Sequence, residues 1–507
     1  MPDLMNGTSS KTPGRFSRFQ NWFSLAGVVL ALASLFSFLL LLTLDYFAKE
    51  ESPYLGILTY IVAPFFCVSG LLLVALGWLV NRRQVARGQP GFSPTRFTID
   101  LSRPRDRKYL AVFIAGSAMI LLVSSIGSYQ TYHVTKSVKF CGEACHTVMQ
   151  PQYVAYQLSP HARVRCTDCH IGPGAKSFVK SKMNGLHQVY ATVLGKVQCP
   201  INGHEKIQID QRICEQCHWP ERFVGNLDRR FTHFLDDTTN TPYSVRMLLK
   251  VGGADPTHGP VGGIHWHMNV ANRVEYIATD PLRQKIPWVR LTDAKGLVTE
   301  FRSPKFKDDP AKHEIRTMDC MDCHNRPAHQ FRTPNDAVDL AMALGRISTN
   351  LPAIKHTTVV ALGQPYKTKE EGLQQIAAAV RAKYPGRPEV DSTIAATQDI
   401  YRHYFFPEMK TDWKLFPNNI GHKDFPGCFR CHDGEHKAAD GKRAINSKDC
   451  NSCHTILSEG RGPEPERLEA TGLKFKHPEE GWDDLRCFDC HNGTIEDKST
   501  PPLPSGR

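Results

Sequence analysis

The sequence predicts a mainly α-helical chain with much irregular structure, built as three transmembrane helices followed by a larger domain that carries a small β-hairpin insertion. Three observations lead there. Three long apolar runs lie near the N-terminus of the 507 residues. Beyond them, most of the 16 cysteines fall into one short repeated pattern within otherwise polar sequence. One stretch, 221–312, lacks that pattern and contains runs that read as short strands joined by a turn.

The apolar runs span about 22–44, 55–80 and 109–129. At 1.5 Å of rise per residue, each is long enough to cross a hydrocarbon layer of about 30 Å. The first is too long for a signal-peptide core and has no small-residue cleavage site, so it is expected to be retained. Charge sets the direction. Lys11, Arg15 and Arg18 precede the first run, and Arg82, Arg83, Arg87, Arg96, Arg103, Arg105, Arg107 and Lys108 separate the second from the third. The intervening loop carries Asp45, Glu50 and Glu51 against Lys49. Basic loops stay in the cytoplasm. The expected layout is a cytoplasmic tail (1–20), a three-helix anchor (21–129) and everything from 130 onward on the outer face of a bacterial inner membrane. A buried core helix is the alternative for the third run.

The cysteine pattern is CxxCH, and six copies exclude chance: Cys166–Cys169–His170, Cys214–Cys217–His218, Cys320–Cys323–His324, Cys428–Cys431–His432, Cys450–Cys453–His454 and Cys487–Cys490–His491. A disulfide scaffold has no reason to place His after every second Cys, and structural zinc sites do not need that adjacent His. Covalent haem does. The two thiols bond the two vinyl groups, and the following imidazole reaches the iron. A seventh copy, Cys141–Cys145–His146, has three residues between its cysteines and lies about a dozen residues past the third run. Met149, three residues on, is a candidate iron ligand. Seven motifs consume 14 cysteines and leave Cys67, a packing residue in the second run, and Cys199, a thiol with no assigned role.

The domain beyond the anchor is therefore a haem-packed multihaem cytochrome c domain. Seven haem c groups bring about 14 propionates, which offset the formal charge of +12 and argue against nucleic acid as a partner. Electron-transfer haems take a second axial ligand, His or Met. The candidates are His161, His187, His265, His267, His329, His422 and His477; the two in GIHWH are expected on one face of a strand. His204, His233, His258, His356 and His436 are weaker candidates.

Along the chain, residues 130–220 carry haems 1–3, 221–312 form the β-rich insertion, and 313–507 carry haems 4–7. Strands are expected over 273–279, 287–292 and 297–302, with a turn at Asp293–Gly296. Helices are expected between 333 and 409, with Thr333–Pro334 as N-cap and N1 and Thr368-x-x-Glu371 as a capping box. The segment 499–507 reads as a frayed tail.

The phrases FCGEACHTVM, SPHARVRCTDCHIGP and LHQVYATVLG, with DCMDCHN at 319–325, resemble the NapC/NirT family of membrane-anchored quinol dehydrogenases. The longer layout is similar to inner-membrane multihaem cytochromes of metal-respiring bacteria. Family members usually have one span and four haems, and their first motif is CxxCHxM; this chain has CxxxCHxxM, three spans and seven haems. Where the family tends to hold a paired HH site, this chain has Ala191 and Thr192, with His187 a turn earlier. The resemblance implies a quinol pocket beside the first haem that uses a lysine: Lys182 is the best match, with Lys180 and Lys176 as alternatives. Glu143 is a candidate to help protons leave. The expected function is oxidation of membrane quinol, menaquinol first among them, with electrons passing through seven haems to a periplasmic c-type cytochrome or terminal reductase in anaerobic respiration. The alternative is a passive electron-transfer subunit of a larger membrane complex. A terminal reductase is a third reading, and no CxxCK motif is present to favour it.

Overall fold

Two N-terminal helices, α1 (Trp22–Phe47) and α2 (Ala63–Ala86), bury their small and polar residues and turn their large apolar ones outward. The computed structural model describes residues 22–47, 62–87, 101–143, 146–171, scattered positions between 181 and 209, and then 211–219, 225–252, 263–268, 272–445, 450–480 and 485–495. The chain divides into two compact units, Met1–Thr135 with Ile171–Lys196, and Lys136–His170 with Val197–Arg507.

In the first unit, Ser24, Gly27 and Ser34 of α1 and Gly70, Gly77 and Asn81 of α2 are buried. A Cβ on Gly27 would stand 2.5 Å from the Gly70 carbonyl oxygen, so only glycine permits this crossing. Ser24 Oγ donates to the Val74 carbonyl at 3.3 Å across the same contact. Outward stand Leu32, Phe36, Leu39, Phe65, Leu71 and Leu72, all exposed. A helix pair in water arranges itself the other way round. Small residues inside and leucines outside are what a bilayer selects, because packing and not apolar burial drives helix association there. Among the described residues, the segments long and apolar enough to cross a membrane are Phe23–Leu41 and Ala63–Gln84. The third expected run lies within α3 (Pro104–Lys136), a continuous helix of 33 residues that extends beyond it at both ends.

The second unit has an apolar core of its own, built by a stretch that holds no CxxCH motif. Helices α5 (Pro334–Ala343), α6 (Ile354–Gly363), α7 (Lys369–Lys383) and α8 (Val390–Tyr404) surround Val338, Ile347, Leu351, Ile354, Ile376 and Val380, with Phe331, Phe405, Trp413 and Phe416 closing it. Each fully buried side chain of this kind contributes about 1.5–3 kcal/mol. Thr333 caps α5 by accepting the Asp336 amide at 3.2 Å, with Pro334 at N1. Thr368 caps α7 by accepting the Glu371 amide. The reciprocal bond differs from the expected box, because Glu371 takes the Lys367 amide at 2.8 Å, one residue earlier. Gly372 lets α7 press on α8, where a Cβ would meet the Tyr401 ring at 2.4 Å. A 12-residue helix, α4 (His146–Gln157), begins at the histidine of the first motif.

The expected hairpin insertion is larger than predicted. Strands β3 (Arg273–Ile277), β4 (Trp288–Thr292) and β5 (Val298–Arg302) form the antiparallel meander, and Asp293 Oδ1 accepts the Lys295 and Leu297 amides in the turn. Two short strands, β6 (Arg316–Thr317) and β7 (Lys437–Ala438), extend it to five in the order β6-β3-β4-β5-β7. A second sheet, unforeseen, joins β1 (Leu227–Phe234), β2 (Pro242–Leu249) and β8 (His454–Gly460). Both sheets cross the expected boundary at 312/313, so the insertion and the C-terminal region share hydrogen-bonded strands and do not form separate domains. The GIHWH segment also departs from expectation: Ile264–Met268 is a 3₁₀ turn, not a strand, because Gly263 at φ +81° folds the chain back so that the Ile264 amide bonds the Lys250 carbonyl at 2.8 Å.

Candidate haem-ligand constellation

Each described CxxCH motif is a single tight turn. The amide of the motif histidine bonds back to the carbonyl of the first cysteine in Cys214–His218 (2.8 Å), Cys320–His324 (2.8 Å), Cys428–His432 (3.0 Å) and Cys487–His491 (2.8 Å). One helical turn puts residues three apart on one side, so both thiols face the same way. In CTDCH, CMDCH and CFDCH an aspartate before the second cysteine locks the turn. Asp168 takes Arg165 Nε at 3.1 Å, Asp322 takes the Asp319 amide at 2.8 Å, and Asp489 takes the Arg486 amide and guanidinium at 3.0–3.1 Å. The shared Asp is a signal the sequence carried and the expectations did not use.

Six of the motif histidines each face a second imidazole. The ring centroids stand 6.0 Å apart for His161 and His218, 6.0 Å for His170 and His329, and 6.3 Å for His265 and His324. They stand 5.8 Å apart for His267 and His432, 6.3 Å for His422 and His454, and 6.1 Å for His477 and His491. An imidazole nitrogen binds a first-row metal at about 2 Å and lies about 1 Å from its ring centre, so two rings on opposite sides of one metal stand about 6 Å apart. The spacing fits an iron with a flat macrocycle between the rings. A bare-ion site needs tighter convergence, and among the described residues no three His, Cys, Asp or Glu side chains cluster to hold one.

The second ring nitrogens support the same reading. Nδ1 of His161 donates to the Pro327 carbonyl at 3.0 Å, and that of His329 to the Gln152 carbonyl at 3.0 Å. Nδ1 of His267 donates to Ile264 at 2.8 Å, and that of His265 to Val251. A carbonyl can only accept, so each of these rings keeps its proton on Nδ1 and leaves Nε2 unprotonated, as metal-bound histidines do. Burial holds His170, His265, His324, His422, His454 and His491 below the ordinary imidazole range, and it pushes His329 down to about 4. Neutral rings are the state a metal requires. His454 Nδ1 is buried with no hydrogen-bond partner among the described residues.

The pairing ignores sequence order. His161 precedes the second motif but faces the third, and His329 follows the fourth but faces the second. Thiols of neighbouring motifs also lie close, Cys141 beside Cys166 and Cys214 beside Cys320. Among the weaker candidates, His233 bonds Asp339 at 3.0 Å, His356 bonds Asp236 at 3.0 Å, and His436 bonds Asp433 at 2.8 Å and the Ile286 carbonyl at 2.7 Å, all structural contacts.

At the first motif, Met149 is half-buried on α4. Exposed Glu143 accepts the Tyr153 hydroxyl at 2.9 Å, and that bond raises the tyrosine's pKa. Gly142 makes room, since a Cβ there would meet the Tyr153 ring at 2.3 Å. Cys145, the His146 side chain, Lys176, Lys180, Lys182, His187, His204 and His258 lie outside the described residues. The Cys67 side chain is half-buried in α2, and Cys199 Sγ stands 3.7 Å from Met409 Sδ.

Residues 103–219 match the NapC/NirT cytochrome c family, N-terminal region. Over 499 residues the chain is 39% identical to the cytochrome c-type protein ImcH of Geobacter sulfurreducens, covering 94% of this chain and 96% of that one. It is 31% identical over 132 residues to the cytochrome c-type protein TorC of Escherichia coli K12, covering 25% and 33% respectively. No solved structure matches the chain.

Proposed function

This chain belongs to the NapC/NirT-related family of membrane-anchored multihaem c-type cytochromes that includes ImcH, and we propose that it oxidises quinol, menaquinol first among them, at the outer face of the inner membrane. Seven haems, three spans with a cytoplasmic N-terminus, and a periplasmic acceptor complete the reading. The observation that carries it is the set of six facing imidazole pairs, together with the first motif, whose first cysteine follows α3 by only a few residues.

Bound haem c supplies one-electron redox chemistry at iron. The protein's part is to hold and insulate it. The cysteine pairs Cys141/Cys145, Cys166/Cys169, Cys214/Cys217, Cys320/Cys323, Cys428/Cys431, Cys450/Cys453 and Cys487/Cys490 would anchor the groups, and His146, His170, His218, His324, His432, His454 and His491 would hold the iron. His161, His265, His267, His329, His422 and His477 would supply the second imidazole of six pairs, each ring fixed by its neighbours. His187 and Met149 remain the proposed additional ligands. Quinol yields quinone, two electrons and two protons. Lys182 or Lys180 orients the quinol hydroxyl, and Glu143, bonded to Tyr153, accepts a proton on its way out.

The test is anaerobic stopped-flow of the purified protein with a menaquinol analogue, following haem absorbance. Reduction on mixing is expected, slowed in Lys182→Met. No reduction by the protein alone overturns the proposal. Reduction only after a membrane partner is added supports the passive-subunit alternative.

A further inference from the structure

The 3₁₀ turn Ile264–Met268 carries two histidines that face two different motifs. His265 lies 6.3 Å from His324 of the fourth motif with the rings nearly parallel, at 10°. His267, two residues on, lies 5.8 Å from His432 of the fifth motif with the rings nearly perpendicular, at 84°. Each ring's Nδ1 is tied to a carbonyl, Val251 for His265 and Ile264 for His267. Trp266 packs edge-on against His267 at 5.7 Å. The turn is anchored in turn by Gly263, where a Cβ would strike the Lys250 carbonyl at 2.4 Å.

The same two motifs are also fastened directly to each other. Arg430, within the fifth motif and 8% exposed, donates to the carbonyl of Asp322, within the fourth, at 2.6 Å. It also donates to the Arg283 carbonyl at 3.0 Å, and the Arg283 guanidinium bonds the Asp322 carboxylate at 2.7 Å. Asn419 adds a bond to the Asp322 carbonyl at 2.9 Å, and Tyr276 donates its hydroxyl to the carboxylate at 2.5 Å. A buried guanidinium spanning two backbone carbonyls resists displacement because its donors have no water to fall back on.

We propose that the Ile264–Met268 turn is a dihaem clamp: His265 is the second axial ligand of haem 4, and His267 is the second axial ligand of haem 5. The turn and the Arg430–Asp322 lock together hold the two groups as a rigid pair. The clamp sits outside the stretch that matches the NapC/NirT N-terminal region, so it belongs to the extended part of the chain. It rests on the reading that the facing imidazoles are haem ligands and is independent of the quinol chemistry.

The ring angles give it a signature. Parallel axial imidazoles give a rhombic low-spin ferric signal, and perpendicular ones give a strongly anisotropic signal at large g. The experiment compares EPR of oxidised full-length wild type, His265→Met, His267→Met and Trp266→Phe, each with its haem content measured. With seven haems per chain retained, His265→Met is expected to lose one haem's worth of rhombic signal and His267→Met one haem's worth of large-g signal. Trp266→Phe, which keeps both ligands, is expected to retain both. Unchanged spectra in either histidine variant overturn the assignment. So does loss of both signals on a single histidine change, since the ligands would not be divided between two haems. Failure of quinol reduction with these spectral changes intact would remove the quinol proposal and leave the clamp standing.

Discussion

A ring nitrogen that donates to a carbonyl leaves its histidine one nitrogen for a metal, and among the described residues His161, His265, His267 and His329 are fixed in that way. Single residues also set the response to pH. Glu459 on β8 is half-buried, and its Oε2 has no hydrogen-bond partner among the described residues. Burial pushes its carboxyl up from 4.5 to about 7. Between those values the folded state binds a proton that the unfolded state does not, so stability falls as pH rises through the window. Glu459→Gln removes that loss. Thermal melts from pH 4 to 8 are expected to decline toward the alkaline end in wild type and to be flatter in the variant. Equal slopes would mean that Glu459 is not the group responsible.

At the scale of elements, caps and glycines decide where helices start and how closely they pack. Thr333 accepts the Asp336 amide and donates its hydroxyl to Asp424 at 3.2 Å. The next residues tie α5 to the seventh motif: the Asn335 amide bonds the Gly493 carbonyl at 3.0 Å, and Trp413 Nε1 bonds that of Asn492 at 3.2 Å. Thr333→Ala is expected to cost about 1–2 kcal/mol in denaturant unfolding. A cost near zero would show that water replaces the hydroxyl. This cap and that of α7 were legible because a side chain three residues from its partner amide is a local fact. The strand expected at GIHWH was not, since alternation over five residues cannot distinguish a strand from a turn whose two rings are held by outside partners. The sheet made by β1, β2 and β8 was equally hidden. β8 begins at the histidine of a CxxCH motif, and its partner strand lies about two hundred residues away.

For the whole molecule, the second unit combines two kinds of cohesion. The helices α5–α8 close a conventional apolar core, while the motif segments meet through facing rings and through hydrogen bonds such as Arg430 to the Asp322 carbonyl. Without haem, α5–α8 are expected to stay protected in hydrogen exchange while 146–171 and 211–219 exchange fast. Attachment of haem is expected to protect all of them. Equal protection in both forms would show that haem adds no cohesion. The sequence by itself determined the anchor's apolar character, the attachment chemistry of the motifs, the motif histidines and the helical caps. Each is written in neighbouring residues, where covalent spacing and helical periodicity leave few alternatives. Only the tertiary structure decided which imidazole faces which motif, that the β strands bind the insertion to the C-terminal region, and that one turn serves two motifs. Those contacts join residues far apart in the chain, and nothing in the local pattern of either partner encodes the other.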